Sequence, residues 1–163
     1  MLFELKEVFL TFDTEKETEY KLDMSNIELD GIYPFTSPVS VFAKAQNRAG
    51  IVTLELKTSF EYTRPCDRCF EDVKTDYSFD FSHKLIESLC DDDDDYIETP
   101  NMSVELDDLV ASDVLLNLPT KYLCKGDCQG LCQKCGHNLN NGDCACDKRE
   151  IDPRLEALKQ FFE

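Results

Sequence analysis

Basic residues, histidines and long apolar runs are all scarce in this chain. No apolar run approaches the roughly 18 to 20 residues that cross a bilayer, so no membrane-spanning helix is expected. The opening stretch carries Glu4, Lys6 and Glu7 where a signal peptide has its apolar segment. The expectation is a soluble, cytoplasmic protein with no membrane partner. Only two histidines occur, His83 and His137, and nothing pairs His83 with a nucleophile. There is no Ser-His-Asp arrangement, no phosphate-cradling glycine loop and no dinucleotide fingerprint. No catalytic residue and no small-molecule substrate site is singled out, and the chain reads as a non-enzyme.

Basic residues number 17 against 34 acidic ones, a net charge of −17. The distribution says more than the total. Residues 1–120 hold ten Lys and Arg against 27 Asp and Glu, whereas residues 121–163 hold seven of each. All the excess negative charge sits in the first part, a surface that repels nucleic acid unless a basic patch is set apart from it and attracts a basic protein, or that serves only to keep the chain in solution. The length of 163 residues is enough for one real core and too short for an eight-fold barrel.

The patterning predicts an α+β fold, an antiparallel sheet with one packed helix and a cysteine-rich C-terminal segment ending in a short helix. Residues 1–35 have no clean period, and one or two short strands are expected there. Val39, Val41, Ala43 and Ala45 alternate with polar neighbours, which is the period of a half-buried strand. After a turn at Gln46 to Gly50, Val52, Leu54, Leu56, Phe60 and Tyr62 share a face, and then Val73, Tyr77, Phe79 and Phe81 share another. Three such strands with short connections make a meander with one wet face. Cys90 and Asp91 to Asp95 open an acidic loop, 90–102, that lacks the spaced ligands and turn glycine of a calcium site. A helix is expected from Val104 to Leu118, its stripe made by Leu106, Val110, Val114 and Leu118 and its end set by Pro119. The last helix starts with Asp152 as N-cap and Pro153 at the first position. The organisation read from this is an α+β core over 1–118 and a cysteine-rich tail with a C-terminal helix over 119–163.

Nine cysteines in a chain read as intracellular point to metal or redox chemistry, not to structural disulfides. Six of them lie in the tail: Cys124, Cys128, Cys132, Cys135, Cys144 and Cys146. Thiolates two or three residues apart can bite one zinc from a single turn, and the Cys132 to Gly136 stretch looks like a zinc knuckle. Few apolar side chains are available there, so metal substitutes for a core. Six thiolates do not fill whole four-ligand sites. Cys66 and Cys69, at the tip between the second and third strands, bring the number to eight, enough for two sites. The preferred partition sets Cys132, Cys135, Cys144 and Cys146 on one ion and Cys66, Cys69, Cys124 and Cys128 on another, although other pairings fit the spacing nearly as well. Zinc, one ion or two, is the expected cofactor. His137 can substitute for a cysteine ligand, but a solvent-exposed loop histidine is the preferred reading. The spacings match neither ferredoxin pattern, and a Cys-x-x-Cys between strands is not at the helix N-terminus that thioredoxin-like chemistry needs. A redox-responsive zinc protein, such as a holdase chaperone, stands as the competing class.

The order of these motifs resembles the YceD family, the large ribosomal RNA subunit accumulation proteins. The residues that carry the resemblance are Cys66 to Cys69, Leu115 to Pro119, Leu123 with Cys124, Cys128 to Cys132, Cys135 to Asn140, Cys144 with Cys146, and Asp152 to Arg154 with Leu155 and Leu158. It covers roughly residues 35–163. The resemblance implies a non-enzymatic role in ribosome biogenesis, supporting 23S rRNA accumulation, with zinc as a structural clamp. Its partner would be a basic ribosomal protein, shielded by the acidic body until rRNA accepts it, or a large-subunit precursor. In a second version, Lys121, Lys125, Lys134, Lys148 and Arg149 contact rRNA directly.

Overall fold

The computed structural model describes residues 1–87 and 96–146. Cys90, the run Asp91 to Asp95 and the expected helix from Asp152 lie outside the described residues. In chain order the elements are β1 (Leu2–Glu4), α1 (Lys6–Leu10), β2 (Glu15–Leu22), β3 (Val39–Arg48), β4 (Ile51–Pro65), β5 (Asp72–Ile86), β6 (Tyr96–Glu98), β7 (Ser103–Glu105) and α2 (Leu106–Asn117). The fold is α+β. Strands β2, β3, β4, β5 and β6 form one sheet in that order, antiparallel except that β6 runs parallel to β5. Strands β1 and β7 pair separately, antiparallel.

The core follows the two-residue period. Along β3, Val39, Val41, Ala43 and Ala45 are buried, and along β4 so are Val52, Leu54, Leu56, Phe60 and Tyr62. Each fully buried Leu or Val contributes roughly 1.5–3 kcal/mol. The same face is covered by Leu5 and Val8 from the N-terminal arm and by Leu106, Val110 and Val114 of α2. Leu118 is extended at the end of α2 (ψ 140°), the conformation that the following Pro119 imposes. The opposite face is polar and ion-paired, with Lys44 reaching Glu15 at 2.7 Å and Glu17 at 2.8 Å.

Three details depart from the sequence reading. The β3–β4 turn is tighter than Gln46 to Gly50. Arg48 pairs with Ile51, leaving Ala49 and Gly50, with φ of +52° and +86°, as a two-residue turn whose twist suits the strands. Asn47 is thereby drawn into the core at 2% exposure, where its Nδ2 donates to the Val8 carbonyl at 2.8 Å and its Oδ1 accepts from Gly50 N–H at 3.1 Å. The segment read as an acidic loop contains β6 and a 3-10 turn at Pro100–Met102. The helix starts two residues later than Val104, because Ser103–Glu105 pair with β1.

The β4–β5 hairpin positions the cysteines. The two strands pair without a break from Val52↔Leu85 to Pro65↔Asp72, whereas β3 accompanies β4 only to Ser59. The last part of the hairpin therefore projects beyond β3. Aromatic rings support the projection. Tyr62 meets Phe35 edge-on at 5.3 Å and stacks on Tyr122 at 5.3 Å, and Phe60 packs against Phe79 at 5.8 Å.

Candidate metal centre

Residues Cys66–Glu71 turn the chain between β4 and β5. Cys66 N–H donates to the Glu71 carbonyl at 2.8 Å, and Phe70 N–H donates to the Cys66 carbonyl at 3.0 Å. Phe70 takes a left-handed φ of +59°. The segment Cys132–His137 repeats this pattern. Cys132 N–H donates to the His137 carbonyl at 2.8 Å, Gly136 N–H donates to the Cys132 carbonyl at 2.8 Å, and Gly136 has φ +73°. Both Cys-x-x-Cys segments are thus the same turn, with the left-handed residue directly after the second cysteine.

The tail is fastened across the hairpin tip. Tyr122 N–H donates to Asp67 Oδ2 at 2.7 Å, and Asp67 N–H returns a bond to the Tyr122 carbonyl at 2.9 Å. Arg64 lies over the Tyr122 ring at 4.3 Å. Arg68 donates to the Cys128 carbonyl at 2.6 Å, while its own carbonyl accepts from Leu131 N–H at 3.1 Å. Gly130 (φ +73°) makes this approach possible, since a Cβ there would stand 3.0 Å from the Arg68 carbonyl oxygen.

The fastening assembles two clusters. Cys66, Cys69, Cys124 and Cys128 bring their sulfurs within 4.8 Å of one another, and so do Cys132, Cys135, Cys144 and Cys146. The Cys66 and Cys128 sulfurs are 3.8 Å apart and those of Cys69 and Cys124 are 3.5 Å apart. These separations are far longer than a disulfide bond of about 2.05 Å. A tetrahedron of thiolates about 2.3 Å from zinc has edges of about 3.8 Å, so the first group has the dimensions of that site. It is largely buried, whereas in the second group Cys135 is exposed.

Electrostatics separate the sulfurs within each group. Burial pushes the Cys66 thiol up, but the N–H groups of Arg68, Cys124 and Cys69 donate to its sulfur and bring it down to about 6. The N–H groups of Cys135 and Lys134, with the Cys144 side chain, lower Cys132 to about 6. Cys128 is lowered first by the Asn140 side chain, whose Nδ2 donates to its sulfur at 3.3 Å. Burial, followed by Cys69, pushes Cys124 up to about 12, and Cys135 does the same to Cys146. Donors aimed at sulfur favour thiolates, and thiolates are the ligating form. Each group offers four soft donors and no open position, which suits structural coordination rather than catalysis.

The clusters hold the same two sets of four residues that the sequence reading preferred. His137 is exposed and joins neither group. His83 pairs with Asp113 of α2 at 2.7 Å, a tie between sheet and helix. The sequence reading gave no role to Asn138, Asn140, Asp67 or Arg68. Asn138 donates to Glu71 on the first turn at 2.9 Å, and Asn140 reaches the first cluster from a loop of the second. The only sequence signal for Asn138 and Asn140 is their place in the Cys135 to Asn140 motif, and for Asp67 and Arg68 their place between Cys66 and Cys69.

No helix among the described residues is long and apolar enough to cross a membrane. A family model described as "Large ribosomal RNA subunit accumulation protein YceD" matches residues 54–162, about two-thirds of the chain. The matched stretch contains both cysteine clusters. Comparison with curated proteins and with solved structures gives no match.

Proposed function

The chain belongs to the YceD family of large ribosomal RNA subunit accumulation proteins, and from that premise we propose that it is a non-enzymatic, cytoplasmic factor in large-subunit biogenesis that supports accumulation of 23S rRNA. A zinc ion on Cys66, Cys69, Cys124 and Cys128 clamps the tail to the hairpin, and a second on Cys132, Cys135, Cys144 and Cys146 closes the tail on itself. The division of labour falls near residue 118, with an acidic α+β body before it and the cysteine-rich tail after it.

Charge supports the kind of partner. From Leu85 to Thr120 the chain has eleven acidic residues and no Lys or Arg, and α2 carries Asp107 and Asp108 in its first turn with no basic residue in its last. This body binds a basic ribosomal protein before rRNA takes it over. Opposite charge speeds the encounter, and salt weakens it. The tail, with equal numbers of acidic and basic residues, gives direct rRNA binding a weaker electrostatic basis. Deleting the protein from its host should lower 23S relative to 16S rRNA, with recovery on re-expression. An unchanged ratio in the deletion strain overturns the reading.

One observation favours a redox-responsive role, the exposure of Cys135. Peroxide that releases zinc and creates client binding would support it. Zinc that stays bound under peroxide would remove it.

A further inference from the structure

We propose that the two cysteine clusters take up metal cooperatively, with Asn140 as the positioning residue that couples them; this rests on the reading that both clusters bind zinc. Asn140 lies in the loop that Cys135 and Cys144 close, yet its side chain serves the other cluster. Its Nδ2 donates to Cys128 Sγ at 3.3 Å, and its Oδ1 accepts from Gln129 N–H at 2.9 Å. Its neighbours reach the same region. Leu139 N–H donates to the Gly130 carbonyl at 2.9 Å, and Asn138 donates to Glu71 Oε1 at 2.9 Å. Asn138 Oδ1 also accepts from the Asn140 backbone at 3.0 Å and side chain at 2.9 Å, which fixes the amide that faces the sulfur.

The loop between Cys135 and Cys144 contains a single large apolar residue, Leu139, so side-chain burial does little to order it. Four thiolates gathered on one ion do that work, as in other small metal modules. Metal on the second cluster therefore holds the Asn138–Asn141 turn against Gly130 and Cys128, and the ordered turn supplies an outer-layer donor to the first cluster. Loss of such a partner typically costs 10- to 100-fold in metal affinity. Coupling is reciprocal, so metal on the first cluster strengthens the second by the same factor.

The test uses the full-length chain with cadmium as the probe, read by cadmium NMR in competition with a chelator. Each four-thiolate cluster gives its own resonance, and the one that persists in the Cys144→Ser, Cys146→Ser double variant belongs to the first cluster. Asn140→Ala should weaken the first cluster about 10- to 100-fold. Asn140→Asp, which keeps the acceptor and loses the Nδ2 donor, should not restore it. Disabling the second cluster should weaken the first by a similar factor, and adding Asn140→Ala to that background should change little more. Far-ultraviolet circular dichroism reports whether each variant keeps its sheet. Two bound ions whose affinities ignore each other, or losses that simply add, would overturn the coupling and leave the zinc reading intact. A chain that binds no cadmium at either cluster would overturn both.

Discussion

Gly130 offers a graded test of how the tail is held to the hairpin. Three glycines of the segment differ in what a Cβ would meet. At Gly126 it meets nothing within 4 Å. At Gly136 it also meets nothing, but φ is +73°. At Gly130, φ is again +73° and the Arg68 carbonyl oxygen stands only 3.0 Å away. Gly126→Ala should be close to neutral. Gly136→Ala carries the left-handed backbone cost alone, about 1 kcal/mol. Gly130→Ala carries that cost and pushes the chain off Arg68, straining the 3.1 Å bond from Leu131 N–H, worth about 1 kcal/mol or more. The expected loss is about 2–3 kcal/mol, which is roughly 30- to 150-fold in local opening at 1.4 kcal/mol per decade. Native-state hydrogen exchange of the Leu131 and Asp67 amides reads this opening. Gly130→Ala exchange indistinguishable from Gly126→Ala would refute the close packing of the tail on the hairpin tip.

Cys132→Ser should lower bound zinc by at least one ion per chain and increase protease sensitivity over residues 120–146; unchanged occupancy and resistance would mean that Cys132 is not a ligand. Asn47→Ala strands the Val8 carbonyl and the Gly50 N–H that its side chain serves. It should cost about 2 kcal/mol and lower Tm by roughly 4–8 °C. A Tm within 1 °C of the parent by calorimetry would show that these groups find other partners.

Much of this architecture was legible in the sequence where burial is one-sided. Strands β3, β4 and β5 each present one face to the core, so Val39 to Ala45, Val52 to Tyr62 and Val73 to Phe81 alternate visibly. Strand β2 did not show this. It pairs with β3 at the sheet edge, and its sequence Glu15–Leu22 has only Thr18, Tyr20 and Leu22 half-buried, too little contrast to set a period. The β1–β7 pairing joins residues about a hundred apart, beyond the reach of any local pattern. At the candidate metal centre, the spacing exposed the cysteines because two thiolates that reach one ion from a single turn sit within a few residues of each other. It concealed Asn138 and Asn140, because an amide that supports a sulfur through space need keep no spacing to it.

The central claim is that this protein acts on the assembling large subunit through its acidic body. Sedimentation of a cell lysate through sucrose gradients at low and high salt, tracking this chain against large-subunit precursors, tests that claim most directly. The account predicts co-sedimentation with precursors at low salt, loss of that association at high salt, and absence from mature 70S particles. Migration as free protein under both conditions would contradict it.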